Sequence, residues 1–146
     1  MTVQLGWLDT NIFVHSLFPN DQPYPRCQAI LKALDEGRAE AWVDVGVLHE
    51  LTYSLMRMRL FPSRLGAYTY IEEIISSGSI FADDKQALLD ATYRWAATGA
   101  GFIDSWLAVM AEGRGLPICS ANRRDFPAHL DNTYVTANLE QEGEES

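Results

Sequence analysis

Acidic side chains stand where apolar segments of this sequence begin or end, and their joint chemistry is that of a site for a hard cation. In "GWLDTNIFVH" an apolar run stops at Asp9, and Thr10 and Asn11 follow before the chain turns apolar again. Glu50 lies in "VLHELTYSL", beside the apolar stripe of Val47, Leu51, Leu55 and Met58 rather than opposite it. Asp104 falls in the first turn of a helix expected over "FIDSWLAVMAEG", where the macrodipole favours a carboxylate by ~0.3–1 kcal/mol. Asn122 and Asp125 follow directly on the strand-like "LPICSA". Each acid also has a plain structural use. Asp9 can cap a turn through its side chain, Asp104 can complement a helix dipole, Glu50 can reach solvent, and Asp125 in "RRDFP" can serve a turn. Several acids at one edge of one sheet, however, repel each other unless a cation neutralises them. Hard divalent ions with oxygen ligands are the natural partners.

The elements that must position these residues alternate between strand and helix. A strand is expected over about 3–8, a helix over 25–36 and a short strand in "AEAWVDV". Helices follow over 46–60, ended by Pro62, and over 63–76, stopped by Gly78. "SIFA" is a short strand, and Asp83 with Gln86 reads as a capping box opening helix 84–98. Helix 102–113 is closed by Gly113 and Gly115, "LPICSA" is a strand, and "TYVTA" is a last edge strand. This alternation predicts an α/β fold: a single domain over 1–138, with a mostly parallel sheet flanked by helices on both faces. Residues 139–146 form an acidic, disordered tail on this reading. In such open sheets, ligands bind beyond the carboxyl ends of the strands, which is where Asp9, Asn122 and Asp125 fall.

Composition fits a globular chain of 146 residues, 47% hydrophobic and 21% charged. No run approaches ~18 consecutive apolar residues, and the start lacks a secretory pattern, so a cytoplasmic location without membrane contact is expected. Cys27 and Cys119 sit far apart among apolar neighbours, as reduced, buried thiols would. The net charge of −9, four negatives of it in the final "LEQEGEES", opposes phosphate binding unless cations or local basic patches intervene.

Together "LDTNIFVH", Glu50 within "VLHELTYSL", and "FIDSWLAVMAEGRGLPICSANRRDF" resemble the PIN domain, and within it the VapC-type toxin ribonucleases. The likeness covers residues 3–137 and rests on motifs that are short singly and specific in combination and order. It implies an acidic triad of Asp9, Glu50 and Asp104, with Ser120 to Phe126 filling the last element. Asn122 stands where the pattern takes Asp or Asn, which leaves open whether Asp125 supplies a fourth catalytic carboxylate or braces the loop. The resemblance further implies Mg2+-dependent hydrolysis of RNA phosphodiesters to a 5′-phosphate and a 3′-hydroxyl, with Mn2+ as a possible substitute. A cognate antitoxin protein and a homodimer are implied on the same ground. Asp9, Asp104 and Glu50 are the expected metal ligands, with Asn11, Ser120 and Asn122 hydrogen-bonding them from behind.

Phosphate contacts would have to be local. Arg57 and Arg59 at the end of the Glu50 helix, Arg64 after Pro62, and Arg123 with Arg124 are the candidates, against the alternative that they are ordinary solvated charges. The remaining motifs are weaker. "HELTY" at 49–53 lacks the second His of a zinc protease, and His15 and His129 have no evident partner. Trp7, Trp42, Trp95 and Trp106 read as core residues. A phosphoacceptor receiver would need a strand-end Lys, yet Lys32 and Lys85 fall in expected helices; a haloacid-dehalogenase-like site would need Asp at 11. A catalytically silent PIN-like domain that binds RNA or protein is the alternative from another class.

Overall fold

The computed structural model describes residues 1–120. The elements run β1 (Val3–Trp7), α1 (Thr10–His15), α2 (Tyr24–Asp35), β2 (Ala39–Trp42), α3 (Val45–Arg57), α4 (Arg64–Ile75), β3 (Ile80–Phe81), α5 (Lys85–Thr98) and α6 (Phe102–Arg114). The three strands form one parallel sheet in the order β1-β2-β3. The expected α/β class and parallel pairing therefore hold for the described residues. The expected strand "TYVTA", the tail and His129 lie outside them.

Side-chain alternation splits the sheet into two unlike faces. Ala39, Ala41, Val43 and Ile80 are buried against the helices. The core joins them to Leu48, Leu51 and Leu55 of α3, Ala67, Ile71 and Ile75 of α4, and Leu88, Ala91 and Trp95 of α5. On the other face Trp7, Trp42 and Phe81 form a ladder, with ring centroids 5.5 and 5.7 Å apart. Trp7 is 62% exposed there. Among the described residues β1 is exposed along its whole length, and the helices lie on one face of the sheet, the one that buries Ala39, Ala41, Val43 and Ile80. The strand order explains it. Right-handed crossovers that step always in one direction, β1 to β2 to β3, lay their helices on the same side. Only a strand added beyond β1 would reverse the winding.

A one-residue irregularity sets the exit of β1. Val3 pairs with Ala39 and Gln4 with Glu40, but Trp7 pairs with Trp42, so β1 carries one extra residue. Gly6 takes it up at φ +76°, a conformation other residues avoid. The bulge turns Trp7 onto the exposed face and Leu8 into the core, and Asp9 emerges at the sheet's carboxyl edge.

Several boundaries move from those expected, for local reasons. α3 stops at Arg57 because Arg59 adopts the left-handed conformation, φ +55°, well before Pro62. Its buried stripe is accordingly Leu48, Leu51 and Leu55, while Met58 is exposed. α5 is capped by Asp84, not Asp83, because the Asp84 carboxylate is the one that accepts from the Ala87 amide at 3.0 Å. Leu116–Ser120 form no strand. The Leu116 amide returns to Ala111 O to close α6 through Gly115, and Pro117 has no amide to give a ladder. Cys119 is exposed, unlike Cys27. His15 has a partner after all, Asp21 at 3.0 Å.

Tyr70 of α4 fixes the end of α1. Its hydroxyl donates to Phe13 O at 3.0 Å and lies 3.0 Å from Ser16 Oγ. Burial pushes its phenol above the usual value, against a smaller lowering by the Ser16 hydrogen bond. The folded protein therefore holds this proton more tightly than the unfolded chain. The associated stability is fully present below the unfolded value near 10 and is lost as pH rises through the higher folded value. We expect urea midpoints to fall on going from pH 9 to 11, and Tyr70→Phe to flatten that fall. At pH 7 the variant should lose about 1 kcal/mol through its missing hydrogen bonds. Parallel alkaline limbs for the two proteins would refute this assignment.

Candidate active site

Asp9 ends β1 and opens α1. Its Oδ1 accepts from the Thr10 amide at 2.8 Å, and its Oδ2 accepts from Asn11 Nδ2 at a long 3.4 Å. The capping use is real, but it takes only the first amide of a six-residue helix and leaves the carboxylate exposed. Thr10 does more. Its side chain is buried, at 2% exposure, and its Oγ1 donates to Glu50 Oε2 at 3.1 Å. One residue therefore holds both carboxylates, the first through its amide and the second through its hydroxyl, across 40 residues of sequence.

Glu50 is exposed on α3, one residue ahead of buried Leu51. The helix is anchored at its start by Asp44, whose carboxylate accepts from the Gly46 amide at 3.0 Å. Asp44 ends β2 as Asp9 ends β1. The Leu8 amide bonds to Trp42 O and the Val43 amide to Phe81 O, and an acid follows each of these last ladder residues. Asp44 and Thr10 are the neighbours that sequence reading passed over. The repeated "WLD" and "WVD" carried the signal for Asp44; for Thr10 there was only its adjacency to Asp9.

Asp104 is half-buried in the first turn of α6, whose N-cap, Gly101, offers no side chain. Its Oδ2 bends back to 3.4 Å from where a β-carbon on Gly101 would stand, so glycine leaves room for the carboxylate at the helix start. The turn lies against α3 next to Glu50, because the His49 ring stacks on Phe102 with centroids 6.3 Å apart. No hydrogen bond joins Asp104 to Asp9 or Glu50. Among the described residues, no three or more His, Cys, Asp or Glu side chains are grouped to hold a metal ion. Asp9 and Glu50 are brought together, and Asp104 stands one helix-start away from them.

The remaining expected residues divide clearly. Ser120 is half-buried and has a partner. Asn122, Arg123, Arg124 and Asp125 lie outside the described residues. Arg57 and Arg59 are exposed. Arg64 is committed to the fold: Nη1 donates to Trp95 O at 2.9 Å and Ala100 O at 2.7 Å, and the guanidinium lies 4.8 Å over the Trp95 ring. It satisfies carbonyls at the end of α5 that helix geometry leaves without partners.

No protein-family model matches the chain, and no curated protein matches it in sequence. The likeness to PIN domains therefore rests on the short motifs alone, and the geometry has to carry any functional reading.

Thr10→Val removes the hydroxyl while keeping shape. We expect it to lower unfolding free energy by about 1.5–3 kcal/mol, the range for a hydrogen bond to a charged group, and Thr10→Ser to restore most of the loss. Urea denaturation measures both; a Val variant as stable as the parent would remove Thr10 from this role.

Proposed function

We propose that this chain is a metal-dependent endoribonuclease of the VapC-like PIN type, acting as a toxin restrained by an antitoxin. The observation that carries the reading is the Thr10 bridge, which ties a strand-end Asp to a helix Glu at the carboxyl edge of a parallel sheet. That edge is where open α/β folds bind ligands. The donor set fits Mg2+, which keeps several waters and takes only one or two carboxylates from the protein. Asp9 and Glu50 would supply these, with Asp104 reaching in from α6. Bound there, the ion would lower the pKa of an attacking water and neutralise charge on the phosphate.

The chain's own residues then have distinct tasks. Thr10 keeps the Glu50 carboxylate turned toward Asp9, and Asn11 restrains the second Asp9 oxygen. Asp125, Ser120 and Asn122 complete the expected set from the end of the chain, and a homodimer belongs to the same reading.

A second reading, a catalytically silent PIN-like domain binding RNA or protein, draws on the lack of a three-acid group among the described residues. Incubating an RNA panel with Mg2+, beside Asp9→Asn, Asp104→Asn and an EDTA control, separates the two. The enzyme reading expects cleavage by the parent alone, leaving 5′-phosphate ends. In calorimetry Asp104→Asn should weaken Mn2+ binding by at least the roughly 10-fold that loss of even an outer partner costs. The variant should melt no lower than the parent, since one repelling acid is gone. Unchanged Mn2+ affinity would dismiss Asp104 as a ligand, and an inactive parent would favour the silent domain.

A further inference from the structure

A cleft of about 450 Å3 opens between α3 and the start of α6, and its lining includes His49, the residue before Glu50. Its size lies within the roughly 300–1,000 Å3 of ligand pockets. One wall is a row on α3. His49, Tyr53 and Arg57 are four residues apart, so they share one helix face at steps of ~6 Å. The His49 ring is backed by buried Phe102 at an interplanar angle of 25° and is otherwise exposed, so one of its faces is supported and the other open. Tyr53 is 63% exposed. Arg57 is exposed, and its side chain makes no hydrogen bond or ion pair among the described residues. The floor is firm, because Arg64 is locked between α5 carbonyls and the Trp95 ring.

We propose that this row is a subsite for one unpaired nucleotide of single-stranded RNA, with its base against His49 and Tyr53 and a phosphate on Arg57. The proposal rests on the nuclease reading above and deepens it by naming the form of the substrate. Position supports it: His49 adjoins Glu50, and Gly101 and Phe102, which line the cleft, begin the helix that bears Asp104. Charge supports it too. On a chain of net charge −9, an uncommitted Arg at the end of an aromatic row is the complement a phosphate needs. Stacking on such side chains requires a base free of a duplex, which selects single strands.

The test uses the full chain with Ca2+ in place of Mg2+ to prevent cleavage, and anisotropy of labelled oligouridine, oligoadenosine and a blunt RNA duplex. Tyr53→Ala should weaken binding of both single strands by roughly 5- to 150-fold, and Tyr53→Phe by less than about twofold. Arg57→Ala should weaken binding and lower the salt slope by about one phosphate contact. Mn2+ affinity and melting temperature should stay at the parent's values in all three, since these side chains are exposed. Parent-like RNA binding by Tyr53→Ala and Arg57→Ala, with the parent still cutting RNA, overturns the subsite and leaves the nuclease intact. Equal losses on the duplex also overturn it. A parent that binds neither Mn2+ nor RNA brings down the nuclease reading and the subsite together.

Discussion

The hydrogen bonds of Thr10 are the constraint on which the candidate site depends. Two exposed carboxylates from distant segments repel each other, and the apolar core that holds α1 against α3 does not orient their side chains. A buried hydroxyl and its own amide, each donating to a different acid, supply that opposition. Hydrogen bonds to charged groups are worth roughly 1.5–3 kcal/mol, enough to fix a rotamer. The bridge works only because both sides are rigid. α1 is pinned at its far end by Tyr70 and Ser16, and α3 is seated through Leu48, Leu51 and Leu55, all fully buried.

The sheet determines where such a bridge can form. Parallel strands send every carboxyl end to one edge, and there Asp9 and Asp44 each cap the helix that follows. Adjacent strand-end acids are a cost to a protein that binds no cation, since a Ser or Asn would cap as well without the charge. Among the described residues, the same monotonic winding leaves the Trp7–Trp42–Phe81 ladder without a helix over it, so polar side chains gather at an edge and apolar ones on a face.

What was legible in the sequence follows from the range of the forces involved. Helices α2 to α6 declare themselves through apolar periodicity and terminal residues, which are local. β1 and β2 likewise stand out as apolar runs ending in Asp. The acids could be named because their types and order survive without coordinates. Harder to read was anything fixed by a partner far along the chain. The Thr10 hydroxyl has no visible use until Glu50 arrives beside it. Arg64 looks like a surface cation until the carbonyls of Trp95 and Ala100 claim it. Trp7 looks like core because its neighbours are apolar, yet a single extra residue at Gly6 turns it outward. "LPICSA" has the apolar content of a strand, whereas over its described residues Pro117 and the Leu116 bond to Ala111 decide the backbone.

Electrostatics then narrows what the edge can meet. Several basic residues among those described are occupied: Arg94 forms a two-pronged pair with Glu112, Arg38 pairs with Glu36, Lys85 donates to Ser77 O and Ile80 O, and Arg64 donates to Trp95 O and Ala100 O. Arg57, like Arg26, Arg59 and Arg114, has no such side-chain partner among the described residues, and it sits at the end of the helix that presents Glu50. A polyanion approaching this surface would find most of it repulsive. The guanidinium at the close of α3 supplies attraction on the same helix as the acid near its start. An ion held by Asp9 and Glu50 would turn that end attractive as well, so metal and phosphate would bind more favourably together than either alone. Coupling of that kind would let an acidic protein bind a polyanion.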